Sequence, residues 1–259
     1  MSWTIHPSAV VDPGASLGAD CSIGPFSVVE AGVTLGRGCR IHGHVTLYSG
    51  TRLGDQCEVF PGAVLGGAPQ HLRYAGEPTQ LEIGNRVTIR ESVTLHRGTA
   101  FGRRTTSVGD DSLLMAYVHV GHDCVVGSNV TIANATQLAG HVEVHDYATL
   151  GGLSAVPQFL RVGRHVFMGG CSIARKDIPP FISGKGNEFR AQGINKIGLA
   201  RRGVPDADIA DLRRLFKIIY LRNLPLVRAI EISSADLGKS ELVREFLSFI
   251  RDSKSGIVR

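Results

Sequence analysis

The stretch "SIGPFSVVEAGVTLGRGCRIHGHVTL", residues 22–47, places an aliphatic residue at every sixth position: Ile23, Val29, Leu35, Ile41 and Leu47. Six residues are too few for a helical repeat but suit one short strand plus a turn. Working outward, the frame holds without a miss from Ile5, Val11 and Leu17 to Leu53, Val59 and Leu65. It is interrupted by "GGAPQHLRYAGEPTQLE" and returns at Ile83, Ile89 and Leu95. A second interruption, "RGTAFGRRTTS", is followed by a restart one residue out of phase, from Val108 through Val120, Val126, Leu138 and Val156 to Met168. Glycine commonly follows the aliphatic residue, as at Gly18, Gly36, Gly109 and Gly121, and a small residue often sits four after it. The 32 glycines are expected to supply backbone conformations that side chains resist. Three hexads close a triangular coil of 18 residues, so the repeat predicts a parallel β-solenoid. About eight coils at roughly 4.8 Å each make a prism on the order of 40 Å tall. The repeat itself does not reveal its hand.

After Met168 the rhythm stops, and "DIPPFISGKGN" reads as a connector. Beyond it Ile209, Leu212, Phe216, Ile219 and Tyr220 mark one helical apolar face, and Leu242, Val243, Phe246, Leu247 and Ile250 another. The expected organisation is an all-β solenoid over 1–186, with inserted loops at about 66–82 and 97–107, and a small α-helical subdomain over 187–259. Composition agrees with a globular protein: 43 % of residues are hydrophobic and 20 % charged. No segment approaches the ~18 apolar residues of a membrane span, and Met1–Val10 lacks the features of a signal peptide. A cytoplasmic protein without stable membrane insertion is expected. The net charge of +5 is mild and carries no aromatic-studded basic stripe, which argues against nucleic acid and for acidic small ligands or an acidic partner. Arg213, Arg214, Arg222 and Arg228 of the tail fit either a solvated face or a docking role. Cys21, Cys39, Cys57 and Cys124 all fall at the small inward position, which favours packed core thiols over a disulfide or metal cluster; Cys171 does not.

The chemistry concentrates in "VHVGHDCVVG", residues 118–127. Val120, Cys124 and Val126 point inward in the hexad pattern, which leaves His122 and Asp123 outside. Eighteen residues on from His122 stands Gly140, and eighteen further Gln158, so the three stack on adjacent coils. A neutral imidazole beside an unhindered backbone N–H suits acyl transfer: the histidine deprotonates a hydroxyl and the N–H binds the oxyanion. The rival is a zinc site made by His119, His122 and His141, although His119 ends the preceding hexad and points elsewhere unless a second subunit contributes.

The stretches "IGPF", "YAGEPT", "RESVTLHRGT", "LLMAYVHVGHDC", "LAGHV", "GGLSAV", "GGCSIA", "GLARRG" and "GIVR", spread over the chain, resemble the UDP-N-acetylglucosamine O-acyltransferases of lipid A biosynthesis, hexapeptide-repeat acyltransferases with a left-handed β-helix. The resemblance implies a homotrimer with active sites between neighbouring solenoids. It also implies transfer of a (3R)-hydroxyacyl group from acyl carrier protein, on its phosphopantetheine arm and with no separate cofactor or metal, to the glucosamine 3-position of UDP-N-acetylglucosamine. By the same resemblance His122 is the general base, Gly140 the oxyanion donor and Asp123 the group that orients the histidine. Gln70, His71, Arg73, His119, His141 and Gln158 fall to the sugar and acyl chain, Gly170 to the end of the acyl pocket, and Asn195, Arg201 and Arg202 to the nucleotide.

Three positions depart from the family pattern. His71 replaces an acidic residue, Pro157 a histidine, and Ile197 a glutamate. His71 bears on whether the acceptor is a 3-hydroxyl or a 3-amino sugar, since an imidazole removes one influence holding a proton on an amine. A γ-type carbonic anhydrase and a non-catalytic trimeric scaffold are the alternatives from other classes. The lipid A N-acyltransferase, which usually carries an extra N-terminal domain, is the nearest enzyme of the same class.

Overall fold

The computed structural model describes residues 3–259. Its strands, mostly two residues long, stack into three parallel sheets that form the faces of a prism. Sheet 1 runs from Thr4–Ile5 through Ser22–Ile23 to Phe167–Met168, sheet 2 from Val10–Val11 to Ala155–Val156, and sheet 3 from Ser16–Leu17 to Arg161–Val162. Pairing partners stand one coil apart: Ile5 with Ile23, Val11 with Val29, Val126 with Val144. The coil is a left-handed β-helix. Both inserted loops lengthen a coil without breaking the ladder: Leu53 pairs with Ile83 across the first, and Ile83 with Val108 across the second. The second loop therefore shifts the sequence phase while leaving the spatial phase intact.

Each hexad sends one aliphatic side chain and one small residue inward, and Leu47, Leu65, Ile89, Val120, Leu138 and Leu150 are fully buried. Cys21, Cys39, Cys57 and Cys124 are buried thiols of that core, while Cys171 is exposed.

The glycines after the aliphatic residues do different work from that expected. The positive-φ residue of each corner lies two places later and is seldom glycine: Asp20, His44, Asp123, His141, Tyr147 and His165 have φ between 56 and 63°. Such a conformation is tolerated only where the surroundings over-determine it. Here the N–H of that residue reaches down to the coil below, as His141 N–H does to the His122 carbonyl and Tyr147 N–H to that of Ser128. The glycines instead permit contact. A Cβ on Gly36 would lie 2.5 Å from the backbone of Gly54, so any side chain would force successive coils apart.

The stretch expected as a connector continues the solenoid. Ile182–Lys185 pairs in parallel with Phe167–Met168, and Arg190–Ile194 then turns back antiparallel to it. The expected junction at residue 186 lies in the turn of this hairpin. Helices α1 (Lys196–Arg201), α2 (Asp206–Phe216), α3 (Leu226–Leu237) and α4 (Glu241–Arg251) follow, with a π-helical turn at Lys217–Leu221. The faces marked by sequence are buried at Ile209, Leu212, Phe216 and Ile219, and at Val243, Phe246, Leu247 and Ile250. Polar ties hold the helices to the prism: Arg164 pairs with Glu245 at 2.6 Å, and Arg161 reaches both Asp177 and the Phe249 carbonyl. No helix among the described residues is long and apolar enough to cross a membrane.

Candidate active site

His122, Asp123 and His141 sit on the corner between sheets 2 and 3. His122 lies two places after the inward Val120, and the corner's tight stacking puts it directly beneath Gly140. A Cβ on Gly140 would come within 2.6 Å of the His122 Cε1 and 2.7 Å of Nε2, so only glycine leaves room for the ring. The Gly140 N–H donates no hydrogen bond among the described residues.

The other edge of the ring is fixed. His122 Nδ1 is 2.8 Å from Asp123 Oδ2. Asp123 is fully buried, and the second loop wraps its carboxylate: Oδ1 accepts from the N–H of Thr99 at 3.0 Å and of Arg103 at 2.8 Å, and Oδ2 accepts from the Thr99 hydroxyl at 2.6 Å. Burial pushes this carboxyl up, but the Thr99 bonds, His122 and the nearby His141 together outweigh it and hold the group below the usual carboxylate range. An ionised carboxylate only accepts, so Nδ1 carries a proton, and in the neutral imidazole the lone pair falls on Nε2, beside Gly140.

A place outside the solenoid core implies an exposed His122, yet it is only 5 % exposed. The cause is the loops. His71 of the first loop meets the ring edge-on, with centroids 5.3 Å apart, and His141 does so from the coil above at 5.0 Å. His141 stacks in turn on Phe159, and burial lowers its affinity for a proton, partly offset by Asp123.

Five of the sequence-assigned residues, Gln70, His119, His122, Gly140 and Gln158, line one cavity of about 350 Å³ on the sheet 2 side of this corner, together with Pro157. Arg73 lies apart: its guanidinium covers the Phe101 ring at 4.3 Å, and its N–H donates to His71 Nδ1. Gly170 sits on the corner between sheets 1 and 2, away from His122. Asn195, Ile197 and Arg201 line a second cavity of about 700 Å³ beside sheet 1. The Asn195 amide is engaged within the chain, capping α1 at Gly198 N–H and donating to the His165 carbonyl, whereas Arg202 lies over the Tyr147 ring at 4.8 Å. Sequence reasoning missed Thr99 and Arg103. Both lie in the second insertion, outside the hexad pattern, so only the "RGTAFGRR" break in the repeat signalled a loop with something to hold.

His119 does not join the proposed zinc set; its Nδ1 is 2.7 Å from the Thr94 hydroxyl. Ligand atoms of His122, Asp123 and His141 do converge to within 4.8 Å. The Asp123 carboxylate, however, already accepts four hydrogen bonds, one for each of its in-plane lone pairs. Those donors would have to be displaced before it could bind a cation.

Comparison with known proteins fits this geometry. A family described as "Udp N-acetylglucosamine O-acyltransferase; Domain 2" matches residues 177–258, and "Bacterial transferase hexapeptide (six repeats)" matches 14–49 and 105–140. The acyl-[acyl-carrier-protein]--UDP-N-acetylglucosamine O-acyltransferase of Verminephrobacter eiseniae is 48 % identical over 98 % of this chain and 99 % of its own. That of Burkholderia mallei is 50 % identical over the same shares. Among solved structures, the UDP-N-acetylglucosamine acyltransferase of Francisella novicida superposes with a TM-score of 0.96 at 35 % identity, covering 99 % of this chain and 94 % of that one. The Acinetobacter baumannii structure gives 0.92 at 37 %, covering 98 and 99 %. With identity at this level along nearly the whole of both chains, the protein belongs to the UDP-N-acetylglucosamine O-acyltransferase family.

Proposed function

We propose that the protein transfers a (3R)-hydroxyacyl group from acyl carrier protein to the 3-hydroxyl of UDP-N-acetylglucosamine, the first step of lipid A biosynthesis. The observation that carries this reading is the His122 Nε2 lone pair beside Gly140, with Nδ1 bound by a carboxylate. Nε2 takes the proton of the sugar hydroxyl as its oxygen attacks the thioester carbonyl. The resulting oxyanion is stabilised by the Gly140 N–H. Collapse breaks the C–S bond, and the imidazolium returns its proton to the departing thiolate, giving ester and free thiol. Asp123 stabilises the imidazolium in between. The chain supplies every proton transfer, so no cofactor is needed.

Acceptor chemistry is tested by comparing kcat/KM for UDP-N-acetylglucosamine and its 3-amino analogue, with a hydroxyl preference expected and an alkali-stable amide product overturning it. His71 against His122 is the feature that keeps the amine reading open. With no side chain at Gly170, a long acyl chain is expected, and Gly170→Met shifts preference toward shorter thioesters; identical rankings would remove Gly170 from that role. Separation of the His122 cavity from Gly170 and from the Asn195–Arg201 cavity supports a homotrimer in which one copy's sheet 1 side completes another's sheet 2 side. An active monomer in sedimentation would contradict it. Acidic carrier protein suits the net charge of +5.

A further inference from the structure

His96 has no part in the reading above. It ends the strand Thr94–His96, one coil beneath His119 and Val120. Its place after an inward aliphatic residue is one that glycine usually holds, and it fits because Gly67 pairs with it from below. The ring is 9 % exposed. Its nitrogens form no hydrogen bond among the described residues, and its ring partner is the edge of His119, with centroids 4.8 Å apart at 81°. A buried donor or acceptor left unmatched is destabilising until a ligand completes it. His96 opens on the 350 Å³ cavity that holds His122 and Gly140.

Burial, then His119 and His122, push this imidazole down to about 4, so it is neutral at physiological pH and offers one N–H and one lone pair. The cavity is graded along the prism. Gln70, His96 and His119 line its lower part, while on the coils above it meets Ala139, Ala155 and Pro157 beside Gln137 and Gln158, with Gly140 on the first of those coils. An acyl chain whose carbonyl sits at Gly140 finds the cavity's outward apolar side chains, Ala139, Ala155 and Pro157, only on the coils above, which leaves the lower part to the acceptor.

We propose that a ring nitrogen of His96 hydrogen-bonds a hydroxyl of the acceptor sugar, making His96 a further substrate-binding residue that selects for a polyol beside the catalytic dyad. This rests on the acyltransferase reading. The test uses the full chain as wild type, His96→Ala and His96→Gln, with initial rates against each substrate and calorimetric binding of UDP-N-acetylglucosamine and of UDP without donor. His96→Ala is expected to raise KM for the nucleotide sugar about tenfold or more, to change KM for acyl carrier protein thioester less than twofold, and to leave UDP binding as it was. His96→Gln, which keeps a donor and an acceptor, recovers part of the sugar affinity. Equal changes in both KM values, wild-type values in both variants, or a lowered melting temperature with unchanged KM would each overturn the proposal. A wild type that binds UDP-N-acetylglucosamine but transfers nothing would overturn the acyltransferase reading instead, and the calorimetric comparison would still decide the role of His96.

Discussion

Two corners of the prism meet the same hydrogen-bonding demand in opposite ways. Between sheets 3 and 1, the N–H two places after the aliphatic residue is capped on four coils by a side chain from the coil above. Arg37 N–H donates to Asp55, Asp55 to Asn85, Asn85 to Asp110 and Ser128 to Asp146, all at 2.8–2.9 Å. Between sheets 2 and 3 the corresponding residues of three successive coils are His122, Gly140 and Gln158, and among the described residues nothing caps the Gly140 N–H. One corner is closed by its own side chains. The other withholds the cap from above and places an imidazole on the coil below the free N–H. In the proposed mechanism the oxyanion donor thus arises from a structural ladder by omission.

The largest expected effect comes from emptying the active corner. His122→Ala should lower kcat on the order of 10²- to 10⁴-fold. Because the ring is buried against Asp123, this variant also leaves a buried carboxylate short of one partner, and a lowered melting temperature is expected. More than half the wild-type rate would break the assignment. Converting the active corner into the structural one is the sharper experiment. Gln158→Asn copies Asn85 and should cap the Gly140 N–H, costing about 10²-fold in kcat, the range seen for loss of one oxyanion donor, with no loss of thermal stability. Unchanged kcat would show that this N–H is not the donor.

Acid should separate the corners in another way. His165, stacked between Tyr147 and Phe181 on the structural corner, is pushed down to about 4 by burial and then by Arg164. The unfolded chain binds that proton near pH 6.5, so folding stability is complete above that pH and is lost as pH falls toward 4. The loss is on the order of 3 kcal/mol. His165→Gln should flatten the fall of melting temperature between pH 6.5 and 4; an unaltered slope would discard the linkage. The smallest effect belongs to the structural cap. Asp146→Ala should lower the melting temperature by about 2–4 °C and leave kcat within twofold. A large kinetic effect there would erase the distinction between the corners.

What could be read from the sequence follows from what is periodic. The spacing of Ile23, Val29 and Leu35 sets strand length, coil size and register, because each coil repeats the constraint of the last. It also places His122 beneath Gly140, as the structure finds. The spacing misleads about glycine, because a period shows where a residue recurs and not whether it serves torsion or contact. It is silent on the clamp around Asp123, since Thr99 and Arg103 arrive through a loop whose path no repeat dictates. Burial of His122 depends on that loop and on His71. Capping by the Asn195 side chain was masked for a different reason: an amide that suits a phosphate or sugar also suits a helix N-terminus.

The strand Arg190–Ile194, running against its neighbour, has a consequence for how the molecule ends. A stack of in-register parallel strands presents at its last coil the same unpaired edge that templates fibre growth. A further coil, from this chain or another, would have to add in parallel to Ile182–Lys185, and that edge is already taken by a strand of the opposite sense. The reversal acts as a chain terminator for a structure that could otherwise polymerise end to end.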